Sequence, residues 1–203
     1  TASFNFVPTI DSYTIFAAFQ QNEGTPVDVN YALPSGTVLY TSGVAASASQ
    51  INTKFDGVAS RAIDGNTDGV YANDSVTHTA TKTGAWWQVD FDQSREIYKT
   101  VVYGRTDSGA ADRLRQYRLD FYSGSYVSGS EVYSLTSTYI TGGVGNSTPD
   151  TLTFSPVVCK TIRLTKIHED NQYLAIAEFQ AFGSSSQSAI ISKGEQYAIT
   201  YDK

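Results

Sequence analysis

Four polar side chains occur in an order that chemistry can use: His78, then Arg105 and Asp107, then Arg113. Two guanidiniums and an imidazole are planar hydrogen-bond donors, well shaped for vicinal hydroxyls and a ring oxygen. Two arginines in one shallow site repel each other, so a carboxylate such as Asp107 is a sensible neighbour that holds the forks and cancels part of the charge. A pair balanced in this way does not require an anionic ligand and suits a neutral, hydroxyl-rich one. Taken alone, the same residues also read as a solvated charged cluster near a strand end.

A second constellation is the loop Ala62-Ile63-Asp64-Gly65-Asn66-Thr67-Asp68-Gly69, with Ser75 beyond it and Glu178 far along the chain. A loop dense in Asp, Asn and Gly can turn carbonyls and carboxylates inward around a hard cation, and Ca²⁺ takes about six to eight oxygens. The spacing lacks the closing Glu of an EF-hand, and the loop by itself also reads as an ordinary Asx-rich turn. In Trp86-Trp87-Gln88-Val89-Asp90-Phe91 a strand would place one Trp ring on each face, one anchoring the core and the other covering an edge.

These groups need a scaffold, and composition says which kind. The chain has 203 residues, 40% hydrophobic and 13% aromatic, with only 17% charged. That is enough apolar surface to offset chain entropy and build a core. Short apolar or alternating runs recur at 86–91, 99–103, 116–122, 131–135, 151–154, 161–167 and 176–182, separated by turn formers such as Ser123-Gly124-Ser125 and Gly142-Gly143-Val144-Gly145-Asn146. In 116–122, Tyr117, Leu119 and Phe121 fall on one face and Gln116, Arg118 and Asp120 on the other. No stretch keeps a helical apolar period for three turns, although a short helical turn is expected near 59–63. Seven or more short strands at this spacing imply an all-β, antiparallel sandwich or barrel. Residues 43–183 would form the domain. Residues 1–42 would be an N-terminal β extension, and 184–203 a linker with a C-terminal β extension. The ends would either pair with each other or add edge strands to the sandwich.

The net charge of -6 argues against a general nucleic-acid or anionic-membrane surface. No apolar run approaches the roughly 18–20 residues that span a bilayer. The start at Thr1 and the lack of Met suggest a mature product or an excised piece, and the lone Cys159, beside Val157 and Val158, reads as a small core residue. Sequons at Asn73 and Asn146 are compatible with secretion.

The stretches Ser60-Arg61-Ala62-Ile63-Asp64-Gly65-Asn66-Thr67-Asp68-Gly69, Ser75-Val76-Thr77-His78-Thr79 and Trp86-Trp87-Gln88-Val89-Asp90 resemble the F-type lectin (fucolectin) family, related to discoidin-like F5/8 type C domains. Arg163-Leu164 and Ala177-Glu178-Phe179-Gln180-Ala181-Phe182 look like its closing strands, and the resemblance covers about 43–183. It implies an all-β, antiparallel β-sandwich of the jelly-roll kind and a secreted, non-catalytic lectin that recognises L-fucose on glycans. His78, Arg105 and Arg113 would donate to the sugar, Asp107 would orient the arginines, and Tyr71 would border the C6 methyl. An apolar wall there strands any hydroxyl placed against it.

The resemblance also implies a structural Ca²⁺ held by side chains of Asp64, Ser75 and Glu178 and backbone oxygens of Arg61, Asn66 and Ala177. Many members carry two adjacent cysteines between the two arginines. Here Ser108-Gly109-Ala110-Ala111-Asp112 stands instead, which leaves affinity and linkage preference open.

Other functions fit less well. Asp64 and Glu178 are carboxylates that a glycosidase could use, but they belong to the implied calcium set, and His168-Glu169-Asp170 reads as an exposed polar turn. A discoidin-like module binding lipid or protein would need an apolar loop tip flanked by Lys, and none stands out. A carbohydrate-binding module excised from a larger enzyme shares the fold. A single fucose site is limited to roughly 10⁻⁶–10⁻³ M affinity, so cell-surface binding implies an oligomer or a tandem array.

Overall fold

A computed structural model of the chain describes residues 18–19, 27–28, 37–41, 46–107, 109–110, 113–140, 148–169 and 171–184. The chain divides into two compact units, Thr1–Gly36 with Ser185–Lys203, and Thr37–Ser184. In the first, β1 (Ala18–Phe19) pairs antiparallel with β2 (Val27–Asp28). The strand-like runs expected near 189–201, the Gly-rich turn at 142–146 and the Asn146 sequon lie outside the described residues, as does the linker expected at 184–187 except for Ser184, which ends a strand and pairs with Thr37.

The second unit is an antiparallel sheet folded on itself. Its strands are β3 (Thr37–Leu39), β4 (Ala46–Gln50), β5 (Trp86–Gly104), β6 (Arg115–Tyr122), β7 (Tyr133–Ile140), β8 (Asp150–Lys166) and β9 (Ile176–Ser184). The order is β3-β9-β5-β8-β6-β7, with β4 also on β5. Helical structure among the described residues is limited to two 3₁₀ turns, Ala59–Ile63 and Tyr71–Asn73.

Two expected pairs of strands are single strands. The runs 86–91 and 99–103 are the two halves of β5, and 151–154 and 161–167 fall within or at the end of β8. Asp92-Gln93-Ser94 looks like a turn, but the backbone stays extended and the ladder to β8 slips there, between Asp90 and Arg95. A second slip, between Ile97 and Lys99, sets Pro156 opposite a bulge, where its missing N–H costs no ladder bond. Slipped register lets a long strand bend out of one layer and into the other. The first half of β5 therefore pairs with β4 and the end of β8, and the second half with the start of β8 and β9.

β4 gives no sign in the sequence, because Ala-Ser-Ala-Ser-Gln has little strand propensity and its pairing comes from β5. Thr37–Leu39 pairs with β9 as an edge strand.

The layers meet through alternate residues. Trp87, Val89 and Phe91 are buried from β5, Leu119 and Phe121 from β6. Trp87 packs 5.0 Å from Phe179 of β9, and Phe121 packs 5.2 Å from Phe154 in the other half of the sandwich. The Trp87 indole N–H donates to the Ala59 carbonyl at 3.0 Å, pinning the 59–63 turn to the core. Cys159 is fully buried, and burial pushes its thiol up to about 12, as befits a core residue.

Candidate functional site

Three connections converge on the four polar side chains: 51–85 after β4, 105–114 between β5 and β6, and 167–175 between β8 and β9. His78 is only 2% exposed although it lies in a loop. Its amide donates to the Gly57 carbonyl at 2.9 Å, and its carbonyl accepts from Lys54 N at 3.0 Å and Gln50 Nε2 at 3.2 Å. Gly57 is required by this approach, since a Cβ there would lie 2.5 Å from His78 N. On either side of His78, Thr77 N donates to Ile176 O at 2.8 Å and Thr79 N to Leu174 O at 3.1 Å. The Thr77 and Thr79 hydroxyls return the pairing by accepting from Ile176 N and Leu174 N. This ladder sets the His78 ring against Tyr173.

Three rings wall the imidazole: Tyr173 at 5.0 Å, Phe55 at 5.1 Å edge-on and Tyr71 at 5.9 Å edge-on. Arg113 Nη1 lies 2.5 Å from His78 Nε2. A guanidinium only donates, so Nε2 accepts and the neutral ring carries its proton on Nδ1. Burial lowers the His78 pKa to about 4, helped by the Arg113 charge and more weakly by Arg105 and Lys54, while the Thr79 backbone opposes.

Arg105 Nε donates to Asp107 Oδ2 at 2.5 Å, and Tyr71 N donates to the same oxygen at 2.9 Å. Burial alone would raise the Asp107 pKa, but the Tyr71 amide and the Arg105 fork outweigh it and hold the carboxyl below its usual value. The Arg105 guanidinium lies 4.6 Å over the Tyr71 ring, and Arg113 lies 5.6 Å over Tyr173. Gly69 permits the turn that presents these groups. A Cβ there would come within 2.6 Å of Thr106 Cγ2 and 2.8 Å of the Gly104 carbonyl. His78, Arg105, Asp107, Arg113 and Tyr71 thus belong to one cluster, with donors fixed by aromatic faces and one carboxylate. Ala110 closes a turn in the loop that replaces the cysteine pair, while Ser108, Ala111 and Asp112 lie outside the described residues.

Sequence reasoning missed two of the walls. Tyr173 follows a polar turn and reaches His78 only through the 77–79 and 174–176 ladder, and Lys166 Nζ steadies that turn from below by donating to Gln172 O at 2.7 Å. Phe55 overturns an expectation outright: an exposed apolar spike beside Lys does stand at a loop tip. Phe55 is 59% exposed with Lys54 Nζ 4.8 Å over its ring, because Phe55 and Asp56 take left-handed backbone (φ 52° and 57°) that turns the ring outward. The Tyr71 hydroxyl holds this turn by donating to the Phe55 carbonyl.

Of the six residues expected around calcium, the structure brings Asp64 and Glu178 within reach of each other's charge. Glu178 is fully buried, and burial, then the Asp64 carboxylate, raises its pKa to about 8. The Gly65 and Asp64 amides offset this in part. Neither Glu178 oxygen has a well-formed hydrogen bond. Asp64 Oδ1 accepts from Asn66 N at 2.8 Å, so the loop is also an Asx turn. The buried Ser75 hydroxyl donates to Val70 O, the Arg61 side chain bonds Val76 O and Asp74, and Ala177 is buried on β9. Among the described residues no three His, Cys, Asp or Glu gather. The expected set holds only two carboxylates and would lean on backbone oxygens.

A two-layer β-sandwich that presents a ring-walled polar pocket on its connecting loops defines a discoidin-like ligand-binding module. The family model of the F5/8 type C domain matches residues 44–179, and the chain belongs to that family. Within it the chain is similar to F-type lectins. It is 36% identical over 67 residues to fucolectin-6 of Anguilla japonica, a match spanning 32% of this chain and 36% of that protein. The lectin domain of lectinolysin complexed with Lewis b superposes with a TM-score of 0.62 at 28% identity, covering 73% of this chain and 98% of the other. A fucose binding module from Streptococcus pneumoniae gives 0.57 at 26%, covering 68% and 93%.

Proposed function

We propose that the chain is a non-catalytic, extracellular lectin domain whose loop pocket binds L-fucose on glycans. The carrying observation is the His78–Arg113 pair beside the Arg105–Asp107 pair, both held against aromatic rings. The arginine forks would bond vicinal hydroxyls, and a sugar oxygen would take the place of one partner in the His78–Arg113 contact. The Tyr71, Phe55 and Tyr173 faces suit a methyl in place of a hydroxymethyl, since an apolar wall offers a hydroxyl no partner. Similarity to fucose-binding modules supports the sugar class. The test is calorimetric titration of L-fucose against D-galactose and D-glucose, repeated with Arg105→Ala. Fucose binding alone, lost in the variant, is the expected result. A folded protein that takes up no fucose overturns the assignment.

Calcium fits the second cluster on one observation, the buried Glu178 carboxylate that faces Asp64 and has no well-formed hydrogen bond, the nearby Gly65 and Asp64 amides compensating it only in part. Asp64, Ser75 and Glu178 side chains with the Arg61, Asn66 and Ala177 backbone would hold the ion, tying the early loop to β9. The ion would supply stability and no chemistry at the sugar. Glu178 has no exposed surface to offer a substrate, which argues against a glycosidase role. One weak site per domain implies a multivalent assembly. A second reading rests on Phe55, whose exposure beside Lys54 would also suit a lipid surface. Co-sedimentation with phosphatidylserine vesicles separates the two, and the lectin reading expects the protein to stay in the supernatant.

A further inference from the structure

A second groove lies on the solvent face of the sheet, away from the loop pocket residues. Residues opposite each other across β5, β8 and β6 build it: Trp86 pairs with Thr165 and Thr165 with Arg118, while Gln88 pairs with Arg163 and Arg163 with Asp120. Each points away from the core, whose side is taken by Trp87, Leu164 and Leu119. The β6–β7 connection folds over one end and brings Tyr126, Ser128 and Glu131 to the rim, enclosing about 540 Å³. That volume falls in the range of small-molecule sites, roughly 300–1,000 Å³.

The contents are unusually ordered for a surface. Arg163 sits between two rings, 3.9 Å from the centroid of Trp86 and 3.4 Å from that of Tyr126, and Tyr122 packs edge-on to Tyr126 at 5.2 Å. Its Nε is tied to Gln88 Oε1 at 3.1 Å, and Gln88 is in turn held by both Asp90 oxygens. Arg118 is similarly tied, its Nε donating to both oxygens of the buried Asp120 at 2.8 and 2.9 Å. Two guanidiniums that line the groove thus have their Nε atoms fixed by the protein. Pre-organised donors lose little freedom when a ligand arrives.

The charges decide the ligand class. Arg118 and Arg163 are matched by Asp120 and Glu131 within the same lining, so the groove has no surplus to attract an anion. What remains is donors, acceptors and aromatic edges in one shallow trough. The geometry points to a second carbohydrate site, for a neutral pyranose oligosaccharide lying along the sheet with hydroxyls on Arg163, Arg118 and Glu131 and its C–H groups against the edges of the Trp86 and Tyr126 rings that sandwich Arg163. It is independent of fucose at the loops and would let one domain grip two parts of a glycan.

Tryptophan fluorescence reads this groove selectively. The chain has two Trp, Trp86 in the groove and Trp87 in the core, and none belongs to the loop pocket. Lactose and cellotriose are the probes, titrated to ~50 mM, well above the ~1 mM expected of so small a contact. The expected result is a saturable emission change that persists in Arg105→Ala and weakens at least fivefold in Arg163→Ala and in Tyr126→Ala. Tyr126 lies in a connection, so that variant tests the idea should Arg163→Ala fail to fold. No emission change overturns the proposal. So does a change abolished by Arg105→Ala, which would place the sugar in the loop pocket, or one insensitive to both groove variants. A response to 3′-sialyllactose without one to the neutral probes overturns the ligand class.

Discussion

Acidification should protonate His78 in the unfolded chain long before it does so in the folded one. The folded pKa is about 4 against an ordinary 6.5, so above pH 6.5 both states are neutral and the group leaves stability unchanged. Between those values the unfolded chain binds the extra proton, and stability falls as pH falls. Each unit of pKa difference corresponds to about 1.4 kcal/mol, and integrating from pH 8 to pH 4.5 gives a loss of about 2.5 kcal/mol. The cause is local: a ring 2% exposed, with Arg113 against its Nε2 and no room to hydrate a second charge.

Urea midpoints at several pH values, measured for the wild type and for His78→Gln, isolate this contribution. Carboxylates held low, such as Asp107, lose their contribution only near or below their ordinary value of 3.8, and Glu178, held up to about 8, titrates inside the window in both proteins and cancels in the difference. The wild type should therefore lose about 2 kcal/mol more than the variant between pH 8 and 4.5. With two histidines in the chain, the titration of His78 can also be followed directly by proton NMR. Parallel slopes for the two proteins, or a His78 that titrates near 6.5, would refute the account of a buried neutral imidazole pressed by Arg113. Fucose affinity should then be flat between pH 5.5 and 8, since the imidazole keeps one state throughout.

Other perturbations separate wall, hinge and metal. Tyr173→Ala removes a ring from both His78 and Arg113, and calorimetry should show fucose affinity falling about tenfold with the fold intact. Gly57→Ala puts a Cβ against His78 backbone, which should cost at least about 2 kcal/mol in urea unfolding and weaken sugar binding with it. Phe55→Gly relieves a left-handed residue worth about 1 kcal/mol, so stability should hold within about 1 kcal/mol while fucose affinity drops. Adding calcium at 100 times its Kd should stabilise the wild type by about 2.7 kcal/mol over a chelated sample, and Glu178→Gln should abolish that difference.

Much of this architecture is legible in period-two patterning, because a buried face forces alternation wherever a strand covers a core. Trp87, Val89 and Phe91, or Tyr117, Leu119 and Phe121, could face no other way once one face was dry. What patterning could not show is where one strand ends and another begins. Asp92-Gln93-Ser94 carries the composition of a turn, yet it is the outer bend of a strand shared by two layers, and only the slipped register on β8 reveals it. β4 hides for the opposite reason, since Ala and Ser pack under an aromatic strand without asking for apolar bulk of their own.

The pocket divides along the same line. His78, Arg105, Asp107 and Arg113 also read as a solvated charged cluster when taken alone, and it is their family-like order that singles them out; the structure brings them together. Tyr173 and Phe55 carry no such mark. One is a ring after a polar turn, positioned by a ladder between segments 95 residues apart in sequence, as in the Thr79–Leu174 pair. The other is an aromatic forced into left-handed backbone that its own side chain disfavours. That conformation persists only because the Tyr71 hydroxyl, the Gly57 approach and the Lys54–His78 bond determine it together. A ring turned outward at such a cost, edge-on to a buried histidine, is better explained by what it must touch than by what it holds in place. Phe55 and Tyr173 are therefore where specificity should be altered first. On the lectin reading proposed above, the four polar residues would decide whether a sugar binds, and the Phe55 and Tyr173 rings which face it presents.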